Sequence, residues 1–207
     1  MGIEDRLHER FSFLLIDQDI SKDMQTWKIT DSNSNVYLLK KIINCKTPLK
    51  ELSTINSKHI PAIIEWYIED NVTYIIEEFI HGKRIDNIKH ISIDKLKNII
   101  IQLCEALHLV HEKNIIHRDL RFKNILIDNN ANVVLINFEN ATYIQNHESN
   151  RTYRDTRDFG SIEFSAPEQF CKGKIDERTD IFSLGIIFKS VLEKINNDML
   201  INKDKNI

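Results

Sequence analysis

The hydrophobic pattern of this chain changes period partway along it. In the first part, short apolar and aromatic runs recur between polar turns: Glu9–Ile16, Trp27–Thr30, Val36–Ile43, Ala62–Tyr67 and Val72–Phe79. Branched and aromatic residues bounded by Asp, Asn and Ser clusters predict strands. Thr47–Ile55 interrupts the series as a short helix with Pro48 in its first turn, where a missing N–H is harmless. The period then lengthens. Leu96, Ile99, Ile100, Leu103, Ala106, Leu107 and Val110 recur at helical spacing and predict a long helix over Ile93–Lys113. Two short strands follow, Asn124–Ile127 and Val133–Ile136, joined by the turn Asp128-Asn129-Asn130-Ala131. Ile181, Leu184, Ile187, Phe188, Val191 and Leu192 predict a second long helix to about Ile195, with Asn196–Ile207 as a frayed polar tail.

Composition removes several functional classes. A length of 207 residues fits one domain, or two small lobes sharing a cleft. With 42% apolar and 29% charged residues and a net charge of −3, the chain has no electrostatic footprint for nucleic acid. No apolar run approaches the ~18 residues of a membrane span, and Met1–Arg10 is too charged for a signal peptide. Cys45, Cys104 and Cys171 are scattered without metal-ligand spacing and read as reduced thiols of a cytoplasmic protein. His108 and His111, with no acidic or cysteine companion in the pattern, read as surface or capping side chains.

Candidate chemistry concentrates between Ile115 and Glu139. His117-Arg118-Asp119-Leu120, followed by Asn124, spells H-R-D-L-x-x-x-N, the catalytic-loop signature of protein kinases. The chain resembles that family from about Phe11 to Ile195, and is most similar to the compact, Hanks-type Ser/Thr kinases of low-GC bacteria. The resemblance implies an α+β, bilobal protein-kinase-like fold. Its small β-rich N-lobe would span about 1–79 and its hinge about 78–85. The helical C-lobe would span about 86–195, shortened to end after the helix that the family labels αF.

It also implies roles for single residues. Asp119 is the base that takes the proton of an attacking hydroxyl, and Asn124 is a metal ligand. Arg121 replaces the family's usual lysine with a planar fork of the same charge. Lys40 lies in the strand Val36-Tyr37-Leu38-Leu39-Lys40-Lys41-Ile42, in register for the α- and β-phosphates, and Leu38 stands where a small alanine packs on adenine. Glu78, Ile80 and Leu126 complete the nucleotide-binding positions, with Glu77 at the gatekeeper and Asp86 near the ribose. Glu51 is either the partner of Lys40 or a solvated helix acid. His117 and Arg118 are structural or regulatory, Arg118 as the partner of a phosphate carried at Thr152, Tyr153 or Thr156. Ser161 through Glu168 resembles the end of the activation segment, and Asp180 ties the catalytic loop to a buried helix.

Three departures fall on the phosphate site. The connection Asp17–Thr26 holds no glycine and three acids, which repel a triphosphate. Asn137-Phe138-Glu139 replaces D-F-G: Asn137 takes the metal position without a charge, Phe138 keeps its packing role, and Glu139 adds an acid. Asp158-Phe159-Gly160 does spell D-F-G, but at about twice the family's interval from Asp119. The resemblance with these departures implies a pseudokinase, a binding or regulatory module. The alternatives are a slow, atypical Ser/Thr kinase using Asp119, and a nucleotide-gated switch without transfer. ATP and Mg²⁺ are expected to bind weakly, and a pseudokinase requires neither. An apolar face left on the last helix predicts a protein partner or a homodimer.

Overall fold

The computed structural model describes residues 15–19, 25–88, 90–144, 162–170 and 175–204. Five antiparallel strands form the N-terminal sheet in the order β1-β2-β3-β5-β4. They are β1 Leu15–Asp19, β2 Thr26–Thr30, β3 Val36–Ile43, β4 Ile63–Glu69 and β5 Val72–Glu78. The turns follow from local chemistry. The Asp31 carboxylate accepts the backbone N–H groups of Asn33 and Asn35, both at 2.9 Å, and so bends the chain between β2 and β3. Asp70, at φ 54°, reverses it between β4 and β5.

Three elements differ from the sequence reading. β1 runs on into Asp19, so Asp17 and Asp19 lie on a strand paired with β2 and not in a polar connection. The ladder uses backbone groups, which pair whatever side chain they carry. Residues 9–14 and 20–24 lie outside the described residues. The helix between β3 and β4 is a single turn, α1 Leu49–Leu52. The hydroxyls of Ser53 and Thr54 donate back to the carbonyls of Lys50 (2.9 Å) and Glu51 (2.7 Å), and such bonds compete with helix propagation. At the other end of the chain, α3 spans Glu177–Asp204 instead of fraying after Ile195, because 196–204 contains no Gly or Pro to stop it.

The helical part is built on α2, Ile93–His111, which Ser92 caps by accepting the Lys95 N–H at 3.2 Å. Its inward stripe is buried: Ile99, Leu103, Ala106, Leu107 and Val110 lie in the main core with Ile115, Leu120, Ile125 and Leu135, while Leu96 packs with Val191 and Ile195 of α3. Four short strands frame the loop region: β6 Gly82–Arg84, β7 Ile115–Ile116, β8 Ile125–Asp128 and β9 Val133–Leu135. A fifth, β10 Thr142–Tyr143, pairs with β7, while β6, β8 and β9 form a small sheet. α3 buries Leu184, Ile187, Val191 and Ile195, and leaves Ile181, Phe182 and Phe188 exposed. Among the described residues no helix is long and apolar enough to cross a membrane.

Gly82 marks the tightest approach in the small sheet. A Cβ there would stand 2.7 Å from the carbonyl oxygen of Ile127. Gly82→Ala should therefore cost about 1–3 kcal/mol, as other forced overpackings do. A lower urea midpoint at unchanged slope would show it, and an unchanged midpoint would mean that β6 moves away without penalty.

Candidate functional site

The loop from His117 to Asn124 is fixed from below by one carboxylate. Asp180, fully buried in the first turn of α3, accepts the backbone N–H of His117 with one oxygen and that of Arg118 with the other, both at 2.9 Å. The oxygen that meets His117 also lies 2.9 Å from Nε2 of His111. These bonds support a non-glycine residue in the left-handed region, Arg118 at φ 66°, a conformation that costs about 1–3 kcal/mol by itself. His111 is thus not a surface histidine. Its acidic companion comes from a distant helix that no local pattern reveals.

The His117 ring is buried and shaped by its neighbours. Nδ1 accepts the Asp119 N–H at 3.2 Å, and Nε2 donates to the Ile136 carbonyl at 3.1 Å, which selects the neutral Nε2–H tautomer. Phe138 packs edge-on with ring centroids 4.6 Å apart. Burial pushes the imidazole pKa down, against the pull of Asp180. The sign for stability follows. Below about pH 6.5 the unfolded histidine takes a proton that the folded one refuses, so stability falls as pH drops from there toward the folded pKa. The stability advantage of the native chain over His117→Gln should accordingly narrow between pH 7.5 and 5.5. A constant gap would remove His117 from the pH dependence.

Asp119 is buried between an amide and a guanidinium. Asn124 Nδ2 donates to the Asp119 carbonyl at 2.8 Å and to its Oδ2 at 2.9 Å, while Arg121 Nε lies 3.0 Å from Oδ1. Asn137 adopts a left-handed backbone (φ 68°), and its amide nitrogen lies 3.5 Å from Asn124 Oδ1. Mg²⁺ depends on anionic oxygens in an octahedral set. Here the two candidate ligands are neutral amides facing one another, and the Asp119 carboxylate is engaged by the Asn124 amide at Oδ2 and by the charge of Arg121 at Oδ1. No group of three His, Cys, Asp or Glu among the described residues could hold an ion. The donor set does not fit Mg²⁺.

Above the loop, Lys40 meets two acids. Leu38 pairs with Glu77 across β3 and β5, which sets Glu77 diagonally to Lys40 and within reach of a long side chain. Lys40 Nζ lies 2.9 Å from Glu77 and 3.5 Å from Glu139; only 8% of the Lys40 side chain and 12% of that of Glu77 is exposed. Burial pulls the ammonium pKa down, but Glu77 and then Glu139 pull it up further, and the net shift is upward. Lys40 stays charged.

Glu51 does not take part. Leu49 and Leu52 use the inward face of the single-turn α1, and the Glu51 carboxylate accepts the hydroxyl of Tyr143 instead. The role of Lys40 partner passes to Glu77, which the sequence placed only at the gatekeeper. Thr47 Oγ1 donates to the carbonyls of Phe138 (3.3 Å) and Glu139 (3.1 Å), a tie that no motif announces.

The remaining sequence-derived positions are spread along the cleft. Leu38, Ile80 and Leu126 are half-buried. Glu78 exchanges bonds with Ala62, donating its N–H at 2.9 Å and accepting through its carboxylate at 3.2 Å. Asp86 holds Arg84 Nε at 3.1 Å. Glu168 accepts the Thr179 hydroxyl at 2.8 Å, and Gln169 donates to the Arg118 carbonyl at 2.9 Å, a second anchor on the loop from His117 to Asn124. Ser161, the loop carrying Thr152, Tyr153 and Thr156, the triplet Asp158-Phe159-Gly160 and Cys171 lie outside the described residues.

Comparison with known proteins agrees with this geometry. The sequence model described as the protein kinase domain matches residues 20–205. The chain is 30% identical to "Cysteine-rich receptor-like protein kinase 1" of Arabidopsis thaliana, over 70% of this chain and 25% of that protein. It is 29% identical to "Serine/threonine-protein kinase D" of Synechocystis sp., over 79% of this chain and 33% of the relative. With "Serine/threonine-protein kinase PrkC" of Bacillus subtilis it shares 25% identity, over 86% of this chain and 27% of the relative. The chain spans about a quarter to a third of the length of these curated relatives.

Proposed function

This chain belongs to the protein kinase family, and we propose that within it the chain is a pseudokinase: a binding or regulatory module that keeps the kinase scaffold without metal-dependent phosphoryl transfer. One observation carries the reading. The positions that should hold a metal are two neutral amides, Asn124 and Asn137, turned toward each other, with Asn124 also bound to Asp119. Phosphoryl transfer relies on positioning and on cations that neutralise the developing charge. Here Lys40 is neutralised by Glu77 and Glu139, and Arg121 by Asp119. The compact bacterial type and the free thiols of Cys45 and Cys104 fit a cytoplasmic setting.

A second reading rests on Asp119. It is oriented by Asn124 and Arg121 in the place of a catalytic base, as a slow Ser/Thr kinase requires. Labelled-phosphate transfer from ATP, with Mg²⁺ and with Mn²⁺, separates the two. The pseudokinase reading expects none above background. Transfer that disappears in Asp119→Asn would establish the slow kinase instead.

A further inference from the structure

Lys40 has one carboxylate more than its single charge balances. Glu77 comes from β5, is almost as enclosed as Lys40 itself and sits 2.9 Å away. One close partner of that kind balances the charge of an ammonium, while its remaining hydrogens still need acceptors. Glu139 lies at 3.5 Å and keeps 39% of its side chain exposed. An ammonium offers three donors, so a lysine with one carboxylate partner still has hydrogens to give. We propose that Glu139 is a tethered competitor for anions: its carboxylate holds the place of an incoming phosphate at Lys40 and keeps polyphosphates out of the cleft. This goes beyond the loss of metal chemistry, which leaves metal-free nucleotide binding untouched.

The backbone around Glu139 is built to hold it there. Asn137 turns the chain through a left-handed residue into the short 3-10 turn Phe138–Asn140. Thr47 Oγ1 clamps the carbonyls of Phe138 and Glu139, Phe138 packs on His117, and Tyr143 is tied to Glu51. The carboxylate is therefore presented to Lys40 by a segment pinned on both sides. Counting Lys40, Glu77 and Glu139, the site carries one net negative charge. Removing the Glu139 charge brings that count to zero and leaves Lys40 open to a phosphate.

The test uses the full chain in EDTA, so that metal plays no part, with ATP, inorganic tripolyphosphate and adenosine as probes. Binding is read by calorimetry for the native chain, Glu139→Gln and Glu139→Ala. Both variants should bind ATP and tripolyphosphate at least tenfold more tightly than the native chain, with adenosine unchanged. Two variants guard against a local packing defect in either one, and their melting without ligand should match the native chain within a few degrees. Unchanged ATP affinity, or no ATP binding by either variant, overturns the proposal. So does an equal gain for adenosine, because Glu139 would then block the pocket as a whole. Phosphate transfer in the earlier assay would end the pseudokinase reading without touching this result.

Discussion

Replacing Asp180 by alanine should cost about 3–5 kcal/mol of folding stability, the loss typical of breaking a buried charged network. The carboxylate is fully buried and serves three groups: the N–H of His117, the N–H of Arg118 and Nε2 of His111. Alanine leaves two buried backbone donors without acceptors, each worth about 1–3 kcal/mol unmade, and it withdraws the support for Arg118 at φ 66°. Asp180→Asn keeps one amide oxygen and turns an NH₂ toward the other donor. Its loss should fall between the alanine variant and the native chain. Urea unfolding measures both, and no active site is needed to read the result. If both variants stay within about 1 kcal/mol of the native chain, the scale of one neutral hydrogen bond, the catalytic loop is held by something other than this anchor.

That anchor was expected from the family resemblance alone, whereas most elements whose signal is local were legible in the sequence itself. Strand β3 and the long helix α2 follow directly from branched-residue content and from helical spacing at Leu96, Ile99, Leu103, Ala106, Leu107 and Val110. What escaped was chemistry between segments far apart in the chain. Nothing near His111 announces Asp180, and nothing near Lys40 selects Glu77 over Glu51. That choice is made by cross-strand register on one side and by a helix cut to a single turn on the other. Helix length was the weakest inference in both directions. Hydroxyl back-bonding at Ser53 and Thr54 shortens α1, while the absence of Gly and Pro lets α3 continue past Ile195.

Lys40, Asp119 and Asn124 match the family pattern, and so do the residues that shape the backbone. Asp180, His117, Phe138, Glu168 and Gln169 all hold chain segments together through buried bonds or ring contacts. The departures, Asn137 and Glu139, fall at positions that the resemblance assigns to the metal and phosphate side of the site. A fold can change such positions at little structural expense, because a surface facing a ligand carries few internal contacts. Glu139 is the informative case, since its new charge has been taken into the internal network through Lys40.

Lys40 is where that network and stability meet. Lys40→Met should destabilise the fold by about 3–5 kcal/mol, because it leaves Glu77 buried without its counter-charge. Glu139→Gln should cost less than about 1 kcal/mol, since its carboxylate is more than a third exposed and its attraction is screened. The pair Lys40→Met and Glu77→Leu together should recover most of the loss, as apolar residues of similar volume replace a buried ion pair without an orphaned charge. The three unfolding midpoints therefore have a fixed order: Lys40→Met lowest, the double variant near native, Glu139→Gln near native. A double variant as unstable as Lys40→Met would show that the lysine stem, not the ion pair, carries the effect. In a cleft where the lysine mainly meets a ligand, its loss is read as lost affinity. Here it is read as lost stability with no nucleotide present, so a Lys40 variant is not a neutral control in any phosphate-transfer assay on this chain.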